Sequence, residues 1–381
     1  MRTLKKWLSL CLVFCLLAGC APKEPAATEA PAAVAAEESF TFLTTGLLPG
    51  AALATVNDEH IITIDDYLFW LGYYLDAYRS QGYPIDWDMQ EGLEAEFKQM
   101  VLQVSSMYSF LNRHVAELGL TLSEADEAQV QTEIESLKAG MGEDFDFWVS
   151  NMFRDEESFL ATQRSMYASD LIYDYYFGEG GKNVPTEAEY EDYAHHGEEY
   201  GVYMAKHILL RTVDDARQQL SEEEQQLAYE QVCAIYDRLI AAGADEASFD
   251  KEMFEYSQDP GLASFPDGYE FGPNEMVPEF EFGTLALAPG EMSEIIESSF
   301  GYHIIFRLPV YMSSARLRSE VLGSLWNIWI EEMEQGLDVQ TNELWDALDI
   351  SSVDELRIAQ NEAYYEAKSA AAPETSPASG Q

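Results

Sequence analysis

The spacing of apolar residues divides the chain into a mostly helical N-terminal part and a middle part in which strands and helices alternate. After Thr63, apolar residues recur at helical spacing: Tyr67, Trp70, Leu71 and Tyr74. Positions i, i+3, i+4 and i+7 share one face of an α-helix, so this spacing predicts an amphipathic helix, with Thr63 and Asp66 as its N-terminal capping pair. Further helices are predicted over 88–118, 123–139 and 155–178. Just before Thr63, two β-branched runs flank Asn57-Asp58-Glu59 and predict a small hairpin.

The middle of the chain follows a different pattern. Val202–Leu210 and Tyr302–Leu308 are apolar and β-like, whereas Glu222–Ala242 has the spacing of a long amphipathic helix. A shorter helix is predicted over 248–256. Strands mixed with helices indicate that the fold class is α+β.

A helical pattern returns after Ser313, with one apolar stripe formed by Leu317, Val321, Leu325, Ile328 and Trp329. A single helix with an apolar stripe is marginal alone and needs a partner surface. We expect that partner to be the N-terminal helical block, which makes the middle domain an insertion. The predicted limits are 40–198 for the N-terminal helical domain, 199–311 for the middle domain and 312–368 for the C-terminal helical segment packing on the N-terminal domain.

Composition and charge narrow the class of protein. The chain has 381 residues, enough for two or three domains, and its hydrophobic content of 47% is ample for packed cores. Its 21 basic and 69 acidic residues give a net charge of −48. Nucleic acids and anionic lipid surfaces would repel such a chain, so neither is expected as a partner.

The N-terminus has the features of an export signal. Arg2, Lys5 and Lys6 precede the apolar run Trp7–Leu17, which is too short to span a bilayer. Leu17-Ala18-Gly19-Cys20 resembles a bacterial lipobox, which implies that residues 1–19 are removed and that Cys20 carries lipid. Residues 20–39 and 369–381 are rich in small and polar residues and predict a disordered tether and a disordered tail. After cleavage Cys233 would be the one further cysteine, so no intramolecular disulfide is expected.

Two histidines bracket the residues with most chemical interest. The landmarks in chain order are Lys206-His207-Ile208-Leu209-Leu210, Tyr256-Ser257-Gln258-Asp259, Glu275-Met276-Val277-Pro278-Glu279-Phe280 and Phe300-Gly301-Tyr302-His303. This set resembles the parvulin family of peptidyl-prolyl cis/trans isomerases, which implies a middle domain with a small antiparallel sheet surrounded by helices. Outside this segment the chain weakly resembles the extracytoplasmic foldases of the PrsA and SurA type. The resemblance implies a membrane-anchored foldase on the extracytoplasmic face of a bacterial cell membrane, acting on exported polypeptides that contain X-Pro.

The parvulin resemblance assigns a role to each landmark. It implies a paired-histidine centre of His207 and His303, with Asp259 close to the substrate carbonyl and Ser298 as the hydroxyl residue. It further implies a proline-binding pocket formed by Met276, Phe280 and Phe271. The reaction requires a surface that favours the twisted amide, without nucleophile, metal or cofactor, so no cofactor is expected.

Each landmark also has a structural interpretation. A histidine in an apolar strand is often a core residue, Asp259 before Pro260-Gly261 is typical of a turn, and Met276 with Phe280 is a common packing pair. The alternative function is a membrane-anchored chaperone that binds peptide through an inactive parvulin domain. A third class, a solute-binding lipoprotein, is disfavoured by the paired-histidine strands. His195-His196 lacks the His-Glu-x-x-His spacing of a zinc site.

Overall fold

The computed structural model describes residues 39–87 and 92–371. The predicted signal peptide, the lipid-bearing Cys20 and nearly all of the tether lie outside the described residues. In chain order the elements are α1 (Phe40–Thr45), β1 (Ala52–Val56), β2 (His60–Thr63), α2 (Ile64–Ser80), α3 (Leu93–Leu118), α4 (Glu124–Met141), α5 (Phe145–Asn151), α6 (Glu156–Ser165), α7 (Ala168–Phe177), α8 (Glu187–His195), β3 (Tyr203–Arg211), α9 (Glu222–Ala242), α10 (Glu246–Tyr256), β4 (Tyr269–Phe271), α11 (Pro278–Leu285), β5 (Ile296–Ser298), β6 (Gly301–Leu308), α12 (Ala315–Gln335), β7 (Val339–Thr341), α13 (Glu343–Ala347) and α14 (Ile350–Ala371).

The described residues form two compact units. Unit 1 comprises residues 39–175 and 333–371, and unit 2 comprises Tyr176–Glu332. Mixed helix and antiparallel sheet in this arrangement confirms the predicted α+β fold class. Of the helices within the described ranges, none combines the length and apolar character that a membrane crossing requires.

Unit 1 is a helical body around a small antiparallel sheet of order β2-β1-β7. The predicted hairpin is present, since Val56 pairs with His60 and Asn57 and Asp58 adopt positive φ in the turn. Asn and Asp tolerate this left-handed conformation better than most residues. Strand β7 comes from the far end of the sequence and pairs with β1, placing Thr341 beside Ala54.

The core of unit 1 explains the aromatic residues of α2. Tyr67, Phe69 and Trp70 are almost fully buried, and Trp70 stacks on Tyr108 of α3. Thr63 caps α2 as predicted, because its side chain accepts a hydrogen bond from the backbone N–H of Asp66. Core packing therefore accounts for these α2 side chains.

One predicted helix and the predicted C-terminal tail need correction. The helix predicted over 155–178 is two helices, α6 and α7, because the N–H groups of Met166 and Tyr167 bond within the last turn of α6. The predicted tail from Ser369 begins in helix, since α14 continues to Ala371. Residues 372–381 lie outside the described part.

Unit 2 is built on an antiparallel sheet of order β4-β3-β6-β5. One face of the sheet, including Met204, Ile208 and Ile304, packs against α9 and α10. The other face, including Ala205 and Ile305, packs against α11. Because side chains alternate along a strand, β3 and β6 place every second residue on the α11 face.

Unit 2 is wider than the domain predicted at 199–311. Leu317 and Val321 of α12 pack with Tyr190 of α8 and with Val202, so these helices share one cluster beside the sheet. Tyr190 lies within the predicted N-terminal domain and Val202 within the predicted middle domain, so the apolar stripe of α12 meets residues from both predicted segments, all of them in unit 2. The limits 40–198, 199–311 and 312–368 stay predictions about where domains begin and end.

Candidate active site

Strands β3 and β6 bring the two histidines together. His207 pairs across the ladder with Ile305 and His303 with Leu209, so the two histidines are diagonal neighbours on one face. Their rings stack with centroids 5.2 Å apart, and the two Nδ1 atoms are 3.0 Å apart. Both residues are buried. The strand register thus creates the pair that the sequence resemblance implied.

Asp259 reaches this pair from the loop after α10. The loop is fixed along the edge of β3, because Gln258 N–H donates to the carbonyl of Leu209 at 2.8 Å and Leu209 N–H donates to Ser257 Oγ at 3.1 Å. Asp259 Oδ2 lies 3.0 Å from Nε2 of His207. The ring N–H is not oriented for a hydrogen bond, so this contact is electrostatic.

Two further groups bind the Asp259 carboxylate. The hydroxyl of Tyr269 donates to Oδ2 at 2.5 Å, and the N–H of Gly261 donates to Oδ1 at 3.1 Å. A side chain at Gly261 would collide with Tyr269, because an added Cβ would lie 1.9 Å from its hydroxyl oxygen. The Tyr269 ring also meets the edge of His207.

Tyr269 is a site residue that the sequence analysis missed. It stands two positions before Phe271 in β4 and therefore on the same face of the sheet. This spacing of two residues along a strand was the signal in the sequence that could have identified Tyr269.

Ser298 completes the polar chain on the other side. Its Oγ lies 2.7 Å from Nε2 of His303 and also accepts from the N–H of Phe300 at 3.1 Å. Strand β5 ends at Ser298 and β6 begins at Gly301, whose φ of +144° only glycine adopts readily. An added Cβ at Gly301 would lie 2.1 Å from the carbonyl oxygen of Leu210, so the close approach of β6 to β3 requires glycine.

The three apolar residues assigned to a proline pocket lie together but differ in exposure. The Phe280 ring lies 5.1 Å from that of His207 and 5.7 Å from that of Phe271. Phe271 has no exposed surface, whereas Met276 is half-buried. Phe271 therefore supports Phe280 from behind, and Met276 is the member of the set that reaches the surface.

Burial and nearby charges give three groups of the site a fixed protonation state at neutral pH. Burial lowers the pKa of His303 to about 3, an effect that His207 strengthens and Asp259 opposes. Burial alone would raise the pKa of Asp259, but His207 and Tyr269 outweigh it, and the pKa falls to about 2. Burial and Asp259 raise the pKa of Tyr269. At pH 7, His303 is uncharged, Asp259 is an anion and Tyr269 keeps its proton.

These groups are connected through the two histidine rings. A carboxylate opposite Nε2 of His207 favours a hydrogen on that nitrogen. Nδ1 of His303 hydrogen-bonds with Nδ1 of His207, and Nε2 of the uncharged His303 accepts from the Ser298 hydroxyl. A hydrogen-bonded chain therefore runs from Ser298 through His303 to His207, which contacts Asp259 electrostatically.

A concavity of about 300 Å³ opens beside Met276. It is lined by Asn274, Met276, Pro278, Glu281 and Phe282. This concavity adjoins the apolar part of the site through Met276.

Comparison with known proteins agrees with this geometry. Residues 207–307 match the family described as "Rotamase: PPIC-type PPIASE domain". The chain is 30% identical to the foldase protein PrsA 4 of Bacillus cereus over 179 residues, covering 46% of this chain and 52% of that protein. It is 35% identical to the chaperone SurA of Bordetella avium over 104 residues, covering 26% of this chain and 18% of SurA.

Longer alignments reach lower identity. The foldase protein PrsA of Clostridium perfringens is 24% identical over 279 residues, covering 70% of this chain and 75% of that protein. The solved structure of the peptidylprolyl isomerase PrsA from Bacillus cereus matches with a TM-score of 0.24 and 20% identity, covering 75% of this chain and 89% of that one. The chain thus spans about half the length of PrsA 4 and about a fifth of SurA.

Proposed function

We propose that this chain, whose residues 207–307 form a parvulin-type peptidyl-prolyl isomerase domain, catalyses cis/trans isomerisation of X-Pro bonds as a foldase for exported proteins. The main observation in support of this proposal is the contact of His207 with both His303 and Asp259 beside the Phe280 ring. This arrangement is assembled from two strands and a loop that are distant in sequence.

The chemistry required is the twisting of an amide. Resonance gives the X-Pro bond a barrier of roughly 20 kcal/mol, and each 1.4 kcal/mol of selective stabilisation speeds the reaction about tenfold. Twisting ends the conjugation, so the carbonyl oxygen loses negative charge. A fixed carboxylate at Asp259 near that oxygen destabilises the planar amide more than the twisted one, which lowers the barrier.

The other residues hold the substrate and the carboxylate. Met276 and Phe280 would contact the proline ring, with Phe271 supporting Phe280. His303 and Ser298 hold the His207 ring, which contacts the Asp259 carboxylate electrostatically, while Tyr269 and the N–H of Gly261 bind that carboxylate. This assignment needs no metal or cofactor.

The test is a protease-free assay that measures cis/trans exchange in a proline peptide by NMR. Wild type should accelerate exchange, and Asp259→Ala should reduce kcat/KM at least about tenfold, which is roughly 1.4 kcal/mol. Asp267→Ala, which removes a carboxylate that stands outside this polar chain, is the matched control and should retain activity. Background exchange with wild type would overturn the proposal.

A second function is favoured by one observation in unit 1. A groove of about 780 Å³ runs between α3, α4 and α6 and is lined in part by Val115, Leu120, Leu122 and Leu171. An apolar groove of this size would suit an unfolded segment, which supports peptide binding by unit 1 and hence a chaperone function. Full suppression of client aggregation by a chain without measurable exchange activity would establish the alternative of a chaperone with an inactive isomerase domain.

The proposed location is the extracytoplasmic face of a bacterial cell membrane, with the chain anchored by lipid on Cys20. The supporting pattern is the charged and apolar N-terminus that ends in Leu17-Ala18-Gly19-Cys20. Labelling with palmitate should be lost in Cys20→Ser. Persistent labelling in that variant would exclude the anchor.

A further inference from the structure

We propose that the concavity beside Met276 is a second substrate subsite, which takes the side chain of a Lys or Arg adjacent to the isomerised proline. The inference rests on the proposed function, because it takes Met276 and Phe280 as the contact for the proline ring. It assigns to the enzyme a preference for basic residues next to proline. Of the residues that line the concavity, Met276 is shared with the proposed proline contact, whereas Asn274, Pro278, Glu281 and Phe282 have no role in the proposed catalysis.

The position of the concavity follows from the start of α11. Pro278 is the first residue of that helix, and Phe280 and Phe282 follow within its first two turns. Phe280 is buried against the histidines, whereas 70% of Phe282 is exposed. When the proline ring of a peptide contacts Met276 and Phe280, the side chain of the residue next to that proline would lie over Pro278 and Phe282, which line the concavity.

The walls combine apolar surface with one acidic group. Met276, Pro278 and Phe282 supply methylene, ring and aromatic surface, and Glu281 supplies a carboxylate. Lys and Arg have the matching chemistry, since their apolar stems cover hydrophobic surface while the charged end stays hydrated. A cation above the exposed Phe282 ring would gain a further cation–π attraction.

The charges around the concavity favour a cationic ligand. The Glu281 carboxylate accepts from the N–H of Asn274 at 2.9 and 3.1 Å, which holds it in place. Among the described residues, no Lys or Arg side chain lies within ion-pair distance of Glu281. The nearby Arg316 is engaged by Glu275 at 2.9 Å. An acidic or phosphorylated side chain would meet uncompensated negative charge here.

The loop after β3, like the concavity, carries negative charge. Arg211 is paired with Asp215 at 2.7 Å, and Asp214 accepts from the N–H groups of Ala216 and Gln218. No cluster of basic residues stands ready to bind a phosphate in this segment.

The experiment compares peptides of the form Ala-Ala-X-Pro-Phe and Ala-Ala-Pro-X-Phe, with X as Lys, Ala or Glu. NMR exchange gives the catalytic rate, and titration in the same samples gives Kd. With wild type, Lys in at least one position should be favoured over Ala about threefold in kcat/KM and in Kd, and over Glu about tenfold. Raising the salt concentration should reduce both ratios.

The key variant is Glu281→Gln, which removes the charge but retains one oxygen to accept from Asn274 N–H. It should reduce the Lys-to-Glu ratio to near one and leave the rate on the Ala peptide unchanged. Glu223→Gln is the matched control, because it removes the same charge from α9 on the opposite face of the sheet. That variant should retain the wild-type ratios.

The outcomes separate this inference from the proposed function. Absence of exchange with every peptide would reject the isomerase activity, while Kd values would still test the subsite. Equal Kd values for Lys, Ala and Glu peptides, or unchanged ratios in Glu281→Gln, would overturn the subsite even if all peptides are turned over.

Discussion

The Nδ1 atoms of His207 and His303 lie 3.0 Å apart, although the residues are separated by 96 positions in sequence. The contact depends on the antiparallel register of β3 and β6, in which each histidine is opposite an apolar residue of the other strand. A shift by one residue would send one ring to the face covered by α9 and α10. The register of these two strands is therefore part of the active site.

We expect His303 to stay uncharged well below its ordinary pKa of 6.5. Its pKa in the folded protein is about 3, so between these values the unfolded chain binds a proton that the folded protein does not. The free energy of unfolding should therefore fall as the pH is lowered through this window. Long-range ¹H–¹⁵N NMR of the ring nitrogens gives the charge state directly. A ring that protonates between pH 5 and 7 would contradict this expectation.

Tyr269→Phe should raise the pKa of Asp259, because the carboxylate loses the hydroxyl that donates to Oδ2. Hydrogen bonds to charged groups are worth about 1.5–3 kcal/mol, so isomerase activity should fall at least several-fold. Carboxyl ¹³C NMR reports the pKa, and the exchange assay reports activity. Tyr229→Phe, on α9 across the sheet, should change neither; equal effects of the two variants would show that Tyr269 has no special role.

Two glycine substitutions in unit 2 should have opposite effects on stability. Gly301→Ala introduces a Cβ 2.1 Å from a backbone carbonyl oxygen at φ +144° and should cost at least about 2 kcal/mol. Gly323→Ala, inside α12 with no atom within 4 Å of the new Cβ, should stabilise by about 0.5–1 kcal/mol. Urea unfolding measures both. If Gly301→Ala left the free energy of unfolding unchanged, the contact between β3 and β6 would be able to relax around the added Cβ.

Asp354→Ala should strongly destabilise unit 1. Asp354 is buried and accepts from Arg79 at 3.0 Å and from the Trp87 indole at 3.0 Å. Arg79 is 30% exposed and keeps part of its hydration, so the loss of the carboxylate, which also accepts from the Trp87 indole, should cost about 1–3 kcal/mol. The neighbouring Glu355 is exposed, so Glu355→Gln should stay within about 0.5 kcal/mol of wild type. Thermal unfolding of the full chain distinguishes the two variants.

The local pattern of the sequence was sufficient to predict most elements. The sequence pattern predicted α2, α4 and α9, and the capping pair Thr63 and Asp66 marked the start of α2, because both signals depend on neighbours within a few positions. The apolar runs containing His207 and His303 indicated strands for the same reason. The parvulin resemblance of the landmarks then related these strands to a type of chemistry.

Tertiary structure decided what depends on distant partners. The contact of Asp259 with Tyr269 and His207 requires the loop after α10 to lie along β3, and no local pattern encodes that path. The surface that covers the stripe of α12 is set by shape and burial, which is why Leu317 meets Tyr190 of unit 2. The concavity at Glu281 likewise exists only because α11 buries Phe280 and leaves Phe282 exposed. Sequence determines local geometry and residue chemistry, whereas the exposure of each side chain is fixed by the packing of the whole unit.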